Sequence, residues 1–475
     1  GAHELRLDWF GSYAQARRDD PSIRDMLFTQ GAQGTPGLDP TSGGGKLLFL
    51  RLEDHTESGA ANLSLPFEQW RQLGSRFKTG IWAEGKQREF NARRFAYTGN
   101  GLELPNGTGD VLTPESIGGG SPNDSQPFFI TEGTQPQDNY RASQRLYAAY
   151  AMLELPIVRW FKIAGGARFE ASDIRVEPFD PFDSGADLDG AGVRDHDVLP
   201  AAMFIFSPRS DMNIRLGGTR TLARPEFREL AKFEFTDFVG AFSVIGNPDL
   251  VSTKVWNADA RWEWFPSVTE VVAASVFYKR FDKPIERVVF ARSSGLASFS
   301  NAERAYNIGF ELEFRKSLEF AAKALAPFSV GANFAYIHSQ VRLSDAACDI
   351  ADADCEGTLN VSTESRRPLQ GQSPFVVNTY IDYTNTHGTN LRVLYNSFGR
   401  RIDQVSGLGL PDIYEEPRHL VDLVFGQEVY PGMTLSLSVD NALNWPRRFT
   451  QGRGRATTYR VRLGTSVKLG LGYTF

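Results

Sequence analysis

The residue types that could do chemistry in this chain are few and scattered. Its six histidines, His3, His55, His196, His338, His387 and His419, stand far apart, and no HExxH brings two of them onto one helix face as a zinc pair. No GxSxG elbow presents a serine nucleophile, and Gly43-Gly44-Gly45-Lys46 runs into Leu47 without the spacing of a phosphate-cradling loop. Carboxylates are plentiful, but on long alternating strands such pairs read as solvated charges rather than an acid/base couple. The sequence therefore predicts no enzyme, no cofactor and no resident metal.

Three groups remain. Cys348 and Cys355 bracket the acidic run CDIADADC; metal sites use tighter spacings with added His or Cys, so a local disulfide is expected, and with it an oxidising compartment. Asp345, Asp349, Asp352, Asp354 and Glu356 lack the glycine and alternation of a calcium loop and read as a solvated charge run. Arg224, Phe227, Phe233, Phe235 and Phe238 crowd a loop at 224–253, where they either pack the loop on itself or meet a ligand; both readings stay open.

What must position these residues is visible as a period of two. From Tyr459, the odd positions Val461, Leu463, Val467, Leu469, Leu471, Tyr473 and Phe475 oppose Arg460, Arg462, Ser466, Lys468 and Thr474. The pattern predicts one long strand with an apolar and a polar face. Met433, Leu435, Leu437 and Val439 repeat it, and so do Trp256, Ala258, Ala260, Trp262 and Trp264, opposed by Asn257, Asp259, Arg261 and Glu263. A face of Trp and Ala backed by ladders of charge suits a strand with lipid on one side and a wet lumen on the other. Short turns near 66–71, 156–160, 208–211, 266–268, 386–389 and 431–432 alternate with long Gly-, Pro- and Asp-rich loops. Aromatic residues such as Trp70, Trp160, Trp264 and Tyr430 flank the short turns as an interfacial girdle would.

The count is about sixteen strands, an even number that puts both ends of the chain on the short-turn side. Residues 1–475 then form one domain, an all-β transmembrane antiparallel barrel of the outer-membrane type. The segment SLEFAAKAL at 317–325 is expected to form a helical turn or two at a short-side connection. No run of about 18 uncharged apolar residues exists for a membrane helix. Lys+Arg 51 against Asp+Glu 57, mixed along the chain, gives no basic stripe for nucleic acid.

Several stretches carry a resemblance: LGGTRTLARPEFRELAKFEFTDFVGAFSVIGNPDL at 216–250, KIAGGARFEAS at 162–172, RPLQGQSPFVVNTYIDY at 367–383, LYNSFGRRI at 394–402 and LSVDNALNW at 437–445. In order and spacing they resemble the barrel of a TonB-dependent outer-membrane receptor. That resemblance implies a Gram-negative outer membrane, lipid around the barrel, and active uptake of a scarce small-molecule or polymer ligand captured by long extracellular loops. It also implies a TonB-type energy-coupling partner acting through a plug not present in this chain. Tyr473 and Phe475 resemble the terminal aromatic signal read by barrel-assembly machinery. Members have 22 strands, so a plug and about six strands are expected upstream of the sixteen counted. The alternatives are a passive sixteen-stranded porin and a barrel that docks surface lipoproteins or an envelope complex.

Overall fold

A computed structural model describes residues 4–26, 28–30, 36–38, 45–70, 73–99, 117–118, 128–236, 242–290, 296–342, 366–407 and 409–474. Sixteen long strands dominate it: β1 (Arg6–Met26), β2 (Gly45–Gln69), β3 (Leu73–Gly99), β4 (Tyr140–Val158), β5 (Phe161–Pro178), β6 (Ala191–Arg209), β7 (Met212–Ala223) and β8 (Thr253–Trp264). β9 (Val271–Asp282), β10 (Arg304–Ser317), β11 (Phe328–Arg342), β12 (Phe375–Thr384), β13 (Thr389–Phe398), β14 (His419–Tyr430), β15 (Met433–Asp440) and β16 (Ser466–Tyr473) follow. Each is antiparallel to the next, from β1 on β2 to β15 on β16. Among the described residues β1 pairs only with β2, and β16 only with β15.

Register sorts the side chains as the alternation demands, since a slip of one residue would invert both faces. Ala274 sits opposite Trp262 and Leu312, and Leu437 opposite Phe425 and Leu469, building one continuous apolar surface. The other face is charged: Arg261 donates to Glu263 at 2.8 Å and to Glu313 at 2.6 Å, and Lys468 to Asp440 at 2.8 Å. Leu469 is 74% exposed and Leu471 64%, so these leucines need lipid rather than water.

Connections alternate as expected. Trp160 lies in the two-residue turn between β4 and β5, and Pro431 and Gly432 join β14 to β15. The stretch at 317–325 makes two single-turn 3-10 helices, Leu318–Phe320 and Lys323–Leu325. β2 and β3 run to 25 and 27 residues, far beyond the about 9 to 11 that cross a bilayer, so their long-loop ends stand well clear of the membrane. β1 likewise continues to Met26.

One expectation needs correcting. The terminal strand is not continuous: Ala456–Val461 belongs to a separate sheet, and 462–465 breaks the run, with Gly464 at φ +83°. Strict alternation survives across the break because both flanking segments are strands. Arg462 lies exposed in the break and not on the lumen face.

That separate sheet is built from the long loops. Its order is Phe235–Thr236, Ser243–Val244, Leu296–Asn301, Ile285–Phe290, Arg401–Ser406, Ile413–Glu415, Arg447–Gln451 and Ala456–Val461. Parallel pairing of Ser243 with Leu296 and of Val288 with Val405 joins hairpins that belong to different loops. Val288, Ile402 and Val405 form a small core of their own beneath Tyr414. Over their described residues, the loops at 224–252, 283–303, 399–418 and 441–465 are therefore one laddered body rather than independent excursions.

Candidate functional site

The concave face of the long strands and the loop at 224–252 together build the site. After β7, Pro225 and Glu226 start a four-residue helix, Phe227–Leu230, in which Glu229 accepts from the Glu226 N–H at 2.8 Å. Arg224 donates to Glu170 on β5 at 2.9 Å, and Glu170 also takes Arg168 at 2.6 Å. The return leg is pinned by GNPDL. Gly246 N–H donates to the Ala231 carbonyl at 3.0 Å, Asn247 N–H to the Glu229 carbonyl at 2.6 Å, and the Asn247 amide to the Phe299 carbonyl at 3.0 Å. A Cβ on Gly246 would stand 2.2 Å from the Ala231 carbonyl oxygen, so no other residue fits there without moving the backbone.

This loop folds inward. Phe227, Leu230, Phe233 and Phe235 are buried in one cluster with Phe90 and Ala92 of β3, Tyr140 and Ala142 of β4, Ile174 and Val176 of β5, and Val193 of β6. The Phe233 ring lies 4.7 Å from Phe90, which stacks on Tyr140 at 5.2 Å. Arg88 and Arg94 lie over the Phe227 and Phe233 rings at 5.4 and 5.7 Å, contacts suited to the quadrupole of an aromatic face.

Beside the cluster a cavity of about 590 Å³ opens between the inner faces of β1–β3 and the loop. Its floor is Leu48, Leu50, Leu52 and Phe90; its rim carries Arg18, Lys46, Arg88, Arg94 and Arg228 with Asp20, Asp25 and Glu234. Asp54 grips Arg88 through two contacts of 2.7 and 2.6 Å, and Asp138 holds Arg94 at 3.2 and 3.1 Å. Charges fixed in this way cannot collapse onto one another, so the cavity stays polar at the rim and apolar at the floor. Such a surface holds a solute with an apolar body and charged or hydrogen-bonding groups. Burial, reinforced by the neighbouring Glu226, raises the Glu229 carboxyl above the ordinary range against the hydrogen bond from the Glu226 N–H, which lowers it.

Four of the five loop residues singled out in the sequence meet here. Phe227 is an anchor against the wall and Arg224 an ion-paired strut, whereas Phe233 and Phe235 both pack in the cluster and line the cavity. Phe238, Cys348, Cys355, Phe475 and the acidic run at 345–356 lie outside the described residues. Tyr473 stands exposed on β16 opposite Met433. Sequence reasoning missed the rim charges Arg88 and Arg94. Their parity with Phe90 and Ala92 was readable, but not the height at which the loop would meet them.

The family model described as TonB dependent receptor-like, beta-barrel matches residues 2–442. Among solved structures the chain is similar to the siderophore receptor PiuA from Acinetobacter baumannii, with a TM-score of 0.63 and 11% identity, over 99% of this chain and 62% of that one. The ferric-catecholate import receptor Fiu from K12 E. coli gives 0.62 and 14%, over 99% and 62%. The copper transporter OprC gives 0.59 and 14%, over 99% and 63%. At such identities the likeness is one of fold, and the chain spans about three fifths of the length of these structures. No curated protein matches.

Proposed function

Since the chain belongs to the TonB-dependent receptor β-barrel family, we propose that it forms most of the wall of a Gram-negative outer-membrane receptor that imports a scarce solute by energy coupling. The family and the similar structures are transport receptors rather than enzymes. The observation that carries the proposal is the inward-folded 224–252 loop, which turns the long-loop end of a lipid-faced sheet into a charged and aromatic basin. The basin takes the solute on the extracellular side; a plug from outside this chain, pulled by a TonB-type protein, releases it inward. A metal chelate is the class of cargo we favour, in keeping with the ferric and copper ligands named for the similar structures.

The open edges of β1 and β16 support a wall completed by further strands. An edge left unpaired in lipid costs several kcal/mol per backbone group. A passive porin of sixteen strands would instead ladder β1 directly to β16, and neither strand has that second partner among the described residues. The test is uptake of radiolabelled ferric and cupric chelates by cells carrying or lacking the full reading frame, with and without a protonophore. Energy-coupled import predicts accumulation that needs both the gene and the proton gradient. Uptake insensitive to the protonophore would overturn the proposal in favour of a pore.

A further inference from the structure

The lipid-side rim of the wall is not uniform. Over β1–β6 its charges alternate in sign and neutralise one another: Arg51 lies 2.5 Å from Glu53, Arg141 3.2 Å from Glu89, and Arg175 and Arg194 share Asp173 at 2.9 and 3.2 Å. Over β10 and β11 the pattern fails. Arg304 is the register partner of Arg342, and Arg342 of Arg366, so three arginines stand side by side at one level. Like charges directly opposite in a sheet are destabilising. The one carboxylate in the row, Asp282, is shared by Arg304 at 3.1 Å and Arg280 at 3.2 Å. Arg342 and Arg366 are exposed and have no hydrogen-bond or ion-pair partner among the described residues.

The row faces outward. Arg304 shares its parity with Ile308, Phe310, Leu312 and Phe314 of the exposed apolar surface, whereas the adjacent Ala305 and Asn307 are buried. On the other side of the row, Arg366 is exposed while its neighbour Arg367 is turned inward. One step down the ladder come Trp256 and Tyr306, and two steps down Tyr278, aromatic residues of the kind that mark the boundary of the hydrocarbon layer. Two residues of strand rise about 6.7 Å, which sets the guanidinium groups at the depth of lipid headgroups.

We propose that this row is a docking site for the phosphate groups of an outer-leaflet glycolipid. Neighbouring strands lie about 4.8 Å apart, so three arginines span roughly 10 Å, enough to grip a phosphate from two sides by paired N–H donors. The acyl chains of the same lipid cover Ile308 and Phe310, two and three steps down the ladder. A lipid is preferred to free phosphate because the same outward face turns apolar below the level of Arg280, Tyr306 and Gln340, at Ile308 and Phe310. The inference rests on the outer-membrane reading only for the side of the membrane it assigns; binding of purified lipid is measured apart from any uptake.

The test is native mass spectrometry of the full chain in detergent with hexa-acylated lipid A bearing two phosphates, its monophosphoryl form, or phosphatidylglycerol. The variants are Arg342→Gln/Arg366→Gln and, on the neutralised sector, Arg141→Gln. The bisphosphorylated lipid should bind tightest. The double variant should weaken it about 25-fold, at roughly fivefold per arginine removed near a charged surface, while Arg141→Gln leaves it unchanged. Heat-modifiable migration on gels checks that each variant is folded. Equal affinity of wild type and double variant, equal loss in Arg141→Gln, or equal binding of phosphatidylglycerol would overturn the site.

Discussion

Replacing Arg367 by Met should unlatch the loop sheet while leaving the wall intact. Arg367 and Glu286 are each 2% exposed at the side chain, joined by two contacts of 2.8 and 2.7 Å. Burial works to lower the Arg367 pKa, but its hydrogen bonds to Glu286, together with the charges of Glu286, Asp412 and Tyr414, more than reverse that, so the ion pair holds. Glu286 also accepts the Gln370 N–H at 3.0 Å, and the Gln370 side chain takes the Arg287 N–H at 2.6 Å and reaches the Asp403 carbonyl. The pair thus ties three long loops together. Removing one partner strands a buried charge, at a cost of about 3 to 5 kcal/mol. Replacing both, in Arg367→Met/Glu286→Met, leaves neutral groups short of a partner, the Gln370 N–H and the Pro368 carbonyl among them, at about 1 to 3 kcal/mol. The double variant should therefore recover about 2 kcal/mol, near a 30-fold difference in opening. Hydrogen exchange of the full-length protein in detergent reads this directly. Peptides covering 285–290 and 401–406 should exchange faster in the single variant and partly recover in the double, with β12–β14 unchanged. Loops as protected in the single variant as in the wild type, or no recovery in the double, would refute the argument.

Gly246→Ala should free the return leg of the 224–252 loop, because its Cβ meets the Ala231 carbonyl; limited proteolysis in that loop should rise while heat-modifiability of the barrel persists. Glu229→Gln keeps the acceptor for the Glu226 N–H and removes a disfavoured charge. The Glu229 pKa is raised in the folded state, so its penalty is full above that raised value and vanishes below the ordinary carboxylate range. Loop protection in the wild type should accordingly increase as pH falls through that window, and Glu229→Gln should flatten the dependence; a fall in protection on acidification would contradict the sign. Leu7→Cys and Leu471→Cys, placed at the outer edges of β1 and β16, should fail to cross-link in the full-length receptor, where six further strands would put them about 30 Å apart along the wall. Ready disulfide formation between them would mean a directly closed sixteen-stranded barrel.

The wall was legible because a barrel strand is written by its own residues. Each alternates against lipid over more positions than chance allows, and each short turn sits where the alternation stops. The strand count, the side of the long loops and the lumen parity of Asp259 and Arg261 all follow from that local rule. The site was legible only in part, because its contacts are non-local: Phe233 finds Phe90, and Arg367 finds Glu286, across separations that no period encodes. The quoted stretches of family-like sequence turn out to mark those contacts. GNPDL is the clip that returns the 224–252 loop to Ala231. The run beginning at Arg367 supplies the latch, with Gln370 and Gln372 tying it to Glu286 and Asn307. In LSVDNALNW, Asn441 and Asn444 take positive φ to turn the chain out of β15, and Asn441 reaches the Gly464 carbonyl where the run towards β16 breaks. These residues hold loop to wall. A solute specificity would have to be written in the rim of the cavity instead, where Arg88 and Arg94 lie outside those stretches. That is why the sequence discloses the class of machine more readily than its cargo.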